Sequence, residues 1–305
     1  MELLDELLRC AAKEGWATGH FNVSTLEQMR VICRVCRDHK SPAIIGTSEG
    51  ERKYIGLAEA VAVRDALRAE FAIPIFLNAD HTKSVEAAKA ALDAGYDSVH
   101  IDLSAEKFDD NVRGTAEVVN YARLKSEIPR FRLGSAEGGR NPKSEISVEG
   151  ELGFLRGESK IQNKKIEIRP EDLTKPEEAR AFVHRTGVDR LAPVVGNAHG
   201  LSVDEPDLDI DRIKAIRHFL PDNVTLVLHG GSGIPPSQIR AAIQAGIANI
   251  HVNTDLRVAF VGGLREHIEA HPDETTPYKL FPEAEEAMAK VVEERLKLFN
   301  AVNRI

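Results

Sequence analysis

The 305-residue sequence is poor in cysteine, in aromatic residues and in positive charge. Its cysteines, Cys10, Cys33 and Cys36, are too few to build a disulfide framework. Lys and Arg total 40 against 48 Asp and Glu, a net charge of −8, which argues against nucleic-acid binding because a phosphate backbone requires a positively charged surface. No apolar run approaches the roughly 20 residues of a membrane span, and the first residues resemble an amphipathic helix rather than a signal peptide. We therefore expect a cytoplasmic enzyme or metabolite-binding protein with no nucleic-acid or membrane partner.

Cys33 and Cys36 form a CxxC motif, which occurs in metal and redox sites. Here both cysteines share a helical spacing with Met29 and Ile32, which places them on one apolar stripe. A structural zinc site would also need a second pair of ligands nearby. We interpret the two thiols as core residues of a helix.

A repeated transition from helix to strand organises the chain. At Gly95, Gly187 and Gly246 a helical pattern ends and an apolar strand begins two or three residues later, as a glycine in the left-handed conformation allows. Eight strand candidates cover residues 17–24, 42–48, 74–81, 98–104, 146–153, 190–199, 225–232 and 248–255. Such βα units in series predict an α/β fold, a TIM (β/α)8 barrel with additional N- and C-terminal helices, as one domain over residues 1–305. A doubly wound sheet is the alternative fold.

Two segments interrupt this alternation. Residues 133–146 are rich in glycine and serine and are predicted to form a loop before the fifth strand. Residues 154–173 form a long polar connection after that strand, and we expect a mobile loop there because loops beyond about 12–15 residues are usually lids or binding loops. Residues 282–305 have the composition of a helix on the outside of the barrel or in a subunit contact. We expect a homo-oligomer, a dimer or a tetramer.

Side chains that bind metals stand in or at the ends of the predicted strands. They are Asp80 and His81 in strand three, Asp102 in strand four, Glu149 and Glu151 in strand five, His199 in strand six and His229 in strand seven. A barrel gathers the carboxyl ends of its strands at one mouth. Three neutral imidazoles with an open coordination position describe a catalytic Zn²⁺ site, which predicts that His81, His199 and His229 bind one metal.

Glycine-rich or polar turns follow the last two strands. The segment HGGSG at 229–233 precedes a helix, and VNTD at 252–255 closes strand eight before another helical pattern. Free backbone N–H groups at such helix starts bind phosphate, and Ser232 and Thr254 add hydroxyl groups. The sequence therefore predicts a phosphate site on the same face as the metal ligands.

A series of motifs covers nearly the whole chain. In order, they are HFNVSTLEQ, SPAIIGTSEGERKYIG, LNADHTKSVE, DSVHIDLS, VEGELG, TGVDRLAPVVGNAHG, LHGGSGIP, HVNTDLRVAF and EAMAKVVEERLKLFNAVN. In this order they resemble the motifs of class II, zinc-dependent fructose-bisphosphate aldolases, in the subgroup that also contains tagatose-bisphosphate aldolases. The resemblance implies a metal-dependent aldehyde-lyase on a TIM barrel.

The resemblance also implies roles for the matching positions. His81, His199 and His229 would hold the catalytic Zn²⁺ that stabilises the enediolate, and Asp80 would exchange a proton with the aldehyde-derived oxygen. Asp102 and Glu151 would hold a second metal or a monovalent cation. The dihydroxyacetone-phosphate site would comprise Gly200, Gly230, Gly231, Ser232, Asn253 and Thr254, and Ser48 would contact the aldehyde half. His251, in the same segment, is a further candidate for substrate binding.

Some positions depart from the family pattern. In the loop LGFLRGESK, Arg156 replaces a hinge glycine and Ser159 stands where the family has a catalytic acid. Glu158 is one residue away and is the alternative acid–base group after a register shift. A serine hydroxyl is a poor base, and loss of a positioned acid–base group costs about 10²–10⁴-fold in rate. His251 stands where the family commonly has asparagine.

The leading hypothesis is the reversible cleavage of fructose 1,6-bisphosphate to dihydroxyacetone phosphate and glyceraldehyde 3-phosphate, a reaction of glycolysis and carbohydrate metabolism. One alternative is cleavage of the C4 epimer, tagatose 1,6-bisphosphate. The other is a sensor or scaffold that binds metal and sugar phosphate but whose catalytic loop has decayed.

Overall fold

Ten strands form two sheets in the computed structural model, which describes residues 3–127, 146–203 and 207–305. In chain order the strands are β1 (Thr18–Asn22), β2 (Ala43–Thr47), β3 (Ile75–Thr82), β4 (Ser98–Ile101), β5 (Ser147–Leu152), β6 (Gly157–Gln162), β7 (Arg190–Pro193), β8 (His199–Ser202), β9 (Thr225–Leu228) and β10 (Ile247–Val252). Eight of them close a parallel barrel in the order β1-β2-β3-β4-β5-β7-β9-β10. β6 and β8 form a separate two-stranded sheet. The predicted TIM barrel is confirmed.

Helices connect the strands and cover the outside of the barrel. In chain order they are α1 (Leu4–Glu14), α2 (Leu26–Asp38), α3 (Glu49–Ile55), α4 (Leu57–Phe71), α5 (Val85–Ala94), α6 (Phe108–Glu127), α7 (Pro176–Thr186), α8 (Ile210–Phe219), α9 (Pro236–Gln244), α10 (Thr254–Ala270) and α11 (Pro282–Leu298). α1 and α11 are the predicted additional terminal helices. Gly95 and Gly187 end α5 and α7 in the left-handed conformation, with φ of +109° and +70°. Within the described ranges, no helix is both long enough and apolar enough to cross a membrane.

The interior of the barrel holds a polar network. Arg190 on β7 and Glu149 on β5 are fully buried and form an ion pair of 2.7 Å. Arg190 also donates to Oδ1 of Asn78 at 3.3 Å, which accepts a second hydrogen bond of 2.7 Å from Ser98. Branched apolar side chains usually fill this space in such barrels. These polar groups can be buried because most of them have hydrogen-bond or ion-pair partners. The network lies in the barrel interior, beneath the carboxyl ends of the strands.

The apolar core lies between the barrel and its helices. Cys33 and Cys36 are buried on α2 in this core, as the helical spacing predicts. Burial raises the pKa of Cys33 to about 12, so its thiol stays protonated. Both thiols are therefore packing residues.

The segment 154–173 has more regular structure than the predicted loop. It contains β6, which pairs in parallel with β8 so that Gly157 lies opposite His199, and a turn of 3₁₀-helix at Pro170–Asp172. Arg156 donates two hydrogen bonds, of 2.5 and 2.9 Å, to the buried carboxylate of Asp172. Sequence periodicity missed β6 because its side chains are mostly exposed and carry no apolar alternation. The predicted loop at 133–146 lies outside the described residues except for Ile146.

The predicted sixth strand, residues 190–199, is two strands. β7 ends at Pro193, and the chain turns at Gly196, whose φ is +102°, before β8 begins at His199. The prediction was wrong here because an apolar run of this length gives no sign that its last residues pair with a different strand. As a result, His199 belongs to the small sheet and not to the barrel.

A pH dependence of stability is expected from Asp5 on α1, at the amino-terminal end of the barrel strands. Asp5 is 6% exposed, and Ser147 donates a hydrogen bond of 2.5 Å to its carboxyl group. Burial, followed by the negative charge of Asp189, raises the pKa of Asp5 from 3.8 to about 6. The native state therefore binds this proton more tightly than the unfolded chain, so the free energy of unfolding falls as pH rises from about 4 to 6, by on the order of 3 kcal/mol.

Asp5→Asn is expected to remove this decrease and to be more stable than the wild type above pH 6. Urea unfolding midpoints between pH 4.5 and 7.5 measure the effect, with Glu6→Gln, an exposed carboxyl group on the same helix, as the control. A variant whose stability falls with pH as steeply as that of the wild type would contradict the assignment to Asp5.

Candidate active site

A cavity of about 250 Å³ opens at the carboxyl end of the barrel. The residues that line it are Asn22, Ser48, Asp80, His81, Ser159, His199, Gly200, His229, Gly230, Ser232, His251, Asn253, Thr254 and Arg257. Most of the residues that the sequence predicts for the site are in this set. Asn22 and Arg257 are additional, whereas Asp102, Glu151, Gly231 and Glu158 do not line the cavity.

An irregularity near the end of β3 brings two consecutive side chains to the cavity. The register between β3 and β4 shifts between Ala79 and Thr82, and His81 has a φ of +42°, which is rare for a residue other than glycine. In a regular strand Asp80 and His81 would point to opposite faces. Bulges of this kind re-aim side chains next to active sites. The local distortion therefore lets both residues line one cavity.

His81 and His229 face each other across the cavity floor. Nε2 of His81 lies 3.0 Å from Nδ1 of His229. The other ring nitrogen of each contacts a buried carboxylate, at 2.8 Å for His81 with Asp102 and at 2.7 Å for His229 with Glu149. In metal sites the non-ligating nitrogen of a histidine is usually held in this way by a carboxylate. This arrangement fits the predicted role of His81 and His229 as ligands of one metal.

His199 lies beside this pair but in a different element. Its ring centroid is 4.7 Å from that of His81 and 6.3 Å from that of His229. Burial, and then the positive charge of His81, lowers the pKa of His199 to about 3, so the imidazole is neutral, as a metal ligand must be. Within the described residues, His199 belongs to none of the groups whose potential ligand atoms lie within 4.8 Å of one another. The three predicted ligands are therefore neighbours, with two closer together than the third.

His100 is a histidine of this site that the sequence interpretation missed. It is fully buried on β4, with ring centroids 4.7 Å from His81 and 4.6 Å from His229. It forms a group of potential ligands with Asp80, His81 and His229. Burial alone would lower the pKa of His100, but the surrounding carboxylates, Glu149 first, outweigh it and raise the pKa. The signal was available, because His100 stands two residues before Asp102 and side chains two apart in a strand share a face.

Asp80 is 3% exposed and lies among the histidines of the site. Its Oδ2 accepts a hydrogen bond of 3.0 Å from Asn22, and its Oδ1 lies 3.3 Å from His251. Burial alone would raise the pKa of Asp80, but the positive charge of His81 and contacts with His100 and His251 hold it well below its usual value. The side chain is therefore a carboxylate at neutral pH, next to the proposed ligands.

Asp102 and Glu151, the predicted second cation site, lie behind His81 with His100. Asp102 already has partners, because it accepts a hydrogen bond of 2.7 Å from Ser104 and forms an ion pair with the ammonium group of Lys83. A second cation at Asp102 would have to compete with Lys83.

The donor set fits a divalent cation. Four carboxylates, Asp80, Asp102, Glu149 and Glu151, are almost completely buried around the histidines. Arg190 neutralises Glu149 and Lys83 neutralises Asp102. Within the described residues, Oδ1 of Asp80 is buried without a hydrogen bond, and Oε2 of Glu151 lies 3.1 Å from Nε2 of His100 in an ion pair. Buried charges are normally paired or bind metals, so this cluster has the composition of a cation site.

The glycines after β9 are required by close packing. A Cβ on Gly230, whose φ is +64°, would lie 2.0 Å from the carbonyl oxygen of Ala198. The backbone N–H of Gly231 donates to the carbonyl of His251 at 2.8 Å, so the fold itself uses that donor. Oδ1 of Asn253 is buried without a hydrogen bond within the described residues, close to the start of α10. Gly230, Ser232, Asn253 and Thr254, which the sequence predicts to bind phosphate, all line the cavity in this region.

The remaining predicted positions are Ser48, His251, Ser159, Glu158 and Gly200. Ser48 is the N-cap of α3, where its backbone N–H donates to Glu51 at 2.7 Å. His251 stacks on His20 with ring centroids 3.5 Å apart. Ser159 lines the cavity, whereas the side chain of Glu158 is 73% exposed and pairs with Lys160 at 2.7 Å. A Cβ on Gly200, which also lines the cavity, would clash with the backbone of β6.

Comparison with known proteins identifies the family of this chain. The family model for class II fructose-bisphosphate aldolase matches residues 2–128 and 140–304. The chain belongs to the class II fructose-bisphosphate aldolase family. It is 36% identical to the fructose-bisphosphate aldolase of Thermus caldophilus over 98% of both chains. It is 34% identical to a probable fructose-bisphosphate aldolase of Bacillus subtilis over 99% of this chain and 98% of the relative.

Solved structures of aldolases have the same fold as this family member. The YdjI aldolase of Escherichia coli K12 superposes with a TM-score of 0.78 at 27% identity, covering 99% of this chain and 98% of that one. A putative fructose-1,6-bisphosphate aldolase of Coccidioides immitis gives a TM-score of 0.79 at 27% identity, covering 97% and 96%. The predicted family and the predicted class of enzyme, a lyase, are both confirmed.

Proposed function

We propose that this aldolase uses Zn²⁺ to cleave fructose 1,6-bisphosphate reversibly to dihydroxyacetone phosphate and glyceraldehyde 3-phosphate. The observation that carries the proposal is the pair of facing nitrogens of His81 and His229, each backed by a carboxylate, with Asp80 beside them in the cavity. His81, His229 and His199 would hold the cation. When bound, it supplies Lewis-acid stabilisation of the negative charge that develops on the ketose half.

Asp80 is proposed as the group that moves a proton at the cleaved bond. When the bond between C3 and C4 breaks, C4 becomes the carbonyl carbon of the aldehyde product. The hydroxyl group on C4 must therefore lose its proton. Asp80 is ionised and lines the cavity, and it can accept this proton during cleavage and return it during condensation. Asn22 holds the carboxylate through its hydrogen bond, so that Asp80 is oriented before substrate binds.

The C1 phosphate is assigned to the turn after β9 and the first turn of α10. Gly230, Ser232, Asn253 and Thr254 all line the cavity there. Backbone N–H groups at a helix start favour an anion, and glycine allows close approach. Ser48, which follows β2 and also lines the cavity, is proposed to contact the aldehyde half.

Ser159, rather than Glu158, is proposed to contact the substrate at the ketose carbon. Ser159→Ala is expected to lower kcat about 3–10-fold, as loss of one hydrogen bond does. Glu158→Ala is expected to stay within about twofold of the wild type, because Glu158 lies outside the cavity and surface changes have small effects. Exchange of the ketose-carbon proton with solvent provides the measurement. A larger loss for Glu158→Ala would show that this segment shifts its register when substrate binds.

The test of the proposed function is a coupled assay with fructose and tagatose 1,6-bisphosphates, each with and without a chelator. Cleavage of the fructose epimer that a chelator abolishes and Zn²⁺ restores would support the proposal. Faster cleavage of the tagatose epimer would replace it by the C4-epimer alternative. Binding of metal and ligand without turnover would favour the sensor or scaffold. That alternative is based on Ser159, which stands where the family has a catalytic acid.

We also propose that the enzyme is a cytoplasmic homo-oligomer that acts in glycolysis. The outward-facing part of α10 carries the exposed apolar side chains Val258, Val261 and Ile268. Light scattering coupled to gel filtration distinguishes a monomer from the expected dimer or tetramer.

A further inference from the structure

Arg190 on β7 extends across the interior of the barrel, and its guanidinium group contacts two other strands. The side chain is fully buried. Nε donates to the hydroxyl of Ser147 on β5 at 3.0 Å, and Nη2 donates to Oδ1 of Asn78 on β3 at 3.3 Å. Nη1 forms the ion pair of 2.7 Å with Oε2 of Glu149, also on β5. Each of the three nitrogens of the guanidinium group is therefore held by a different side chain.

Glu149 connects this guanidinium group to a proposed metal ligand. Its Oε2 faces Arg190, and its Oε1 lies 2.7 Å from Nε2 of His229. A carboxylate accepts hydrogen bonds, so this contact assigns the proton of the neutral imidazole to Nε2 and leaves the lone pair on Nδ1. Nδ1 is the nitrogen that faces His81 in the cavity. The tautomer and the ring orientation that suit metal binding therefore depend on where the carboxylate of Glu149 lies.

Arg190 also balances the charge of Glu149. Glu149 is completely buried, and among the described residues Arg190 is the single Lys or Arg in ion-pair contact with it. Removal of one partner of a buried ion pair leaves an uncompensated charge, which the surroundings of the remaining group must rearrange to accommodate. Loss of the guanidinium group is thus expected to displace the carboxylate that contacts His229.

We propose that Arg190 is a positioning residue for the catalytic metal, because it holds Glu149 in the place from which Glu149 fixes the tautomer and orientation of His229. Arg190 does not line the cavity, so it acts without touching the substrate or the cation. Partners of metal ligands typically change metal affinity or activity about 10–100-fold when they are replaced. This inference rests on the proposed function.

The test is the zinc affinity of Arg190→Met, measured by chelator competition after the protein has been stripped of metal. We expect an affinity about 10–100-fold below that of the wild type. Arg190→Lys keeps the charge but lacks the planar fork, so it is expected to recover part of the affinity.

Arg64→Met is the matched control for this substitution. Arg64 on α4 is 4% exposed and forms an ion pair with Asp97 at 2.7 Å, the same length as the pair of Arg190, and neither residue lines the cavity. Arg64→Met is expected to lower the urea unfolding midpoint but to keep the zinc affinity of the wild type. The comparison separates a loss of stability from a loss of metal affinity.

A second background shows whether the effect of Arg190 passes through Glu149. Glu149→Gln keeps an oxygen that can accept a hydrogen bond from His229 but removes the charge that Arg190 balances. If Arg190 acts through Glu149, Arg190→Met should change the zinc affinity of Glu149→Gln by less than about threefold, because the two effects are then not additive. If Arg190→Met does not fold, Arg190→Lys is compared in the same two backgrounds.

Metal binding is measured without substrate, which separates this inference from the proposed function. Weaker zinc binding by folded Arg190→Met, together with the small effect in the Glu149→Gln background, supports the role of Arg190 even if the wild type cleaves neither ketose bisphosphate. An unchanged affinity in the folded variant would overturn the inference, because Arg190 would then serve the fold alone. Equal losses in both backgrounds would also overturn it, since Arg190 would then act by a route other than Glu149.

Discussion

Replacing His229 with alanine is expected to abolish stoichiometric metal binding and to lower the cleavage rate by at least about 10³-fold. His229 is 2% exposed, and its Nδ1 faces Nε2 of His81 while its other nitrogen contacts Glu149. The substitution removes one of the three proposed ligands and leaves Glu149 paired with Arg190. Lewis-acid stabilisation contributes several kcal/mol to such a reaction, and each 1.4 kcal/mol corresponds to about tenfold in rate.

The measurement is the zinc content of the purified variant after gel filtration, together with its affinity in a chelator competition. His184→Ala, which removes an exposed histidine on α7, is the control and should keep the metal content of the wild type. Circular dichroism and an unfolding curve show whether the barrel is intact. A folded His229→Ala protein that retains one zinc per chain at wild-type affinity would rule out His229 as a ligand.

The second large effect is expected for Asp80→Asn, which should lower kcat about 10²–10⁴-fold while the metal content stays at the wild-type level. The amide has nearly the same shape as the carboxylate and can still contact Asn22, but it cannot accept a proton. Loss of a buried negative charge also changes the surroundings of His81 and His251, so metal affinity must be measured in the same preparation.

Asp211→Asn is the control for this substitution, since Asp211 lies on α8 with a side chain that is 92% exposed. Single-turnover rates with fructose 1,6-bisphosphate isolate the chemical step from product release. If the variant binds metal normally and keeps a rate within a few-fold of the wild type, the proton at C4 is carried by another group. A variant that has lost its metal would instead show that Asp80 mainly holds the site together.

The order of elements and most of the cavity lining followed from the sequence. Glycines at the ends of α5 and α7, and apolar runs of strand length after them, are local signals, because each depends on residues close together in the chain. The positions of Asp80, His81 and His229 followed from the rule that a barrel brings the carboxyl ends of its strands together. These features could be predicted before any long-range contact was known.

The small sheet could not be predicted in this way. β6 has mostly exposed residues, and its partner β8 lies within a stretch that looks like the continuation of β7. Which strand pairs with which is decided by contacts between distant segments, here Gly157 with His199. The carbonyl of Arg156 accepts a hydrogen bond of 2.8 Å from the backbone of His199, so the placement of this histidine depends on the segment after β5.

The amino-acid sequence by itself therefore determined the barrel, the family and the residue types that gather at its mouth, because these depend on local periodicity and on the order of motifs. Tertiary structure alone decided which groups face one another. In the folded protein His100 lies with the other histidines of the site, Glu158 is exposed to solvent, and Arg257 lies across the opening of the cavity. The physical reason is that charge pairing, burial and the bulge at His81 arise only when strands far apart in the chain share one interior.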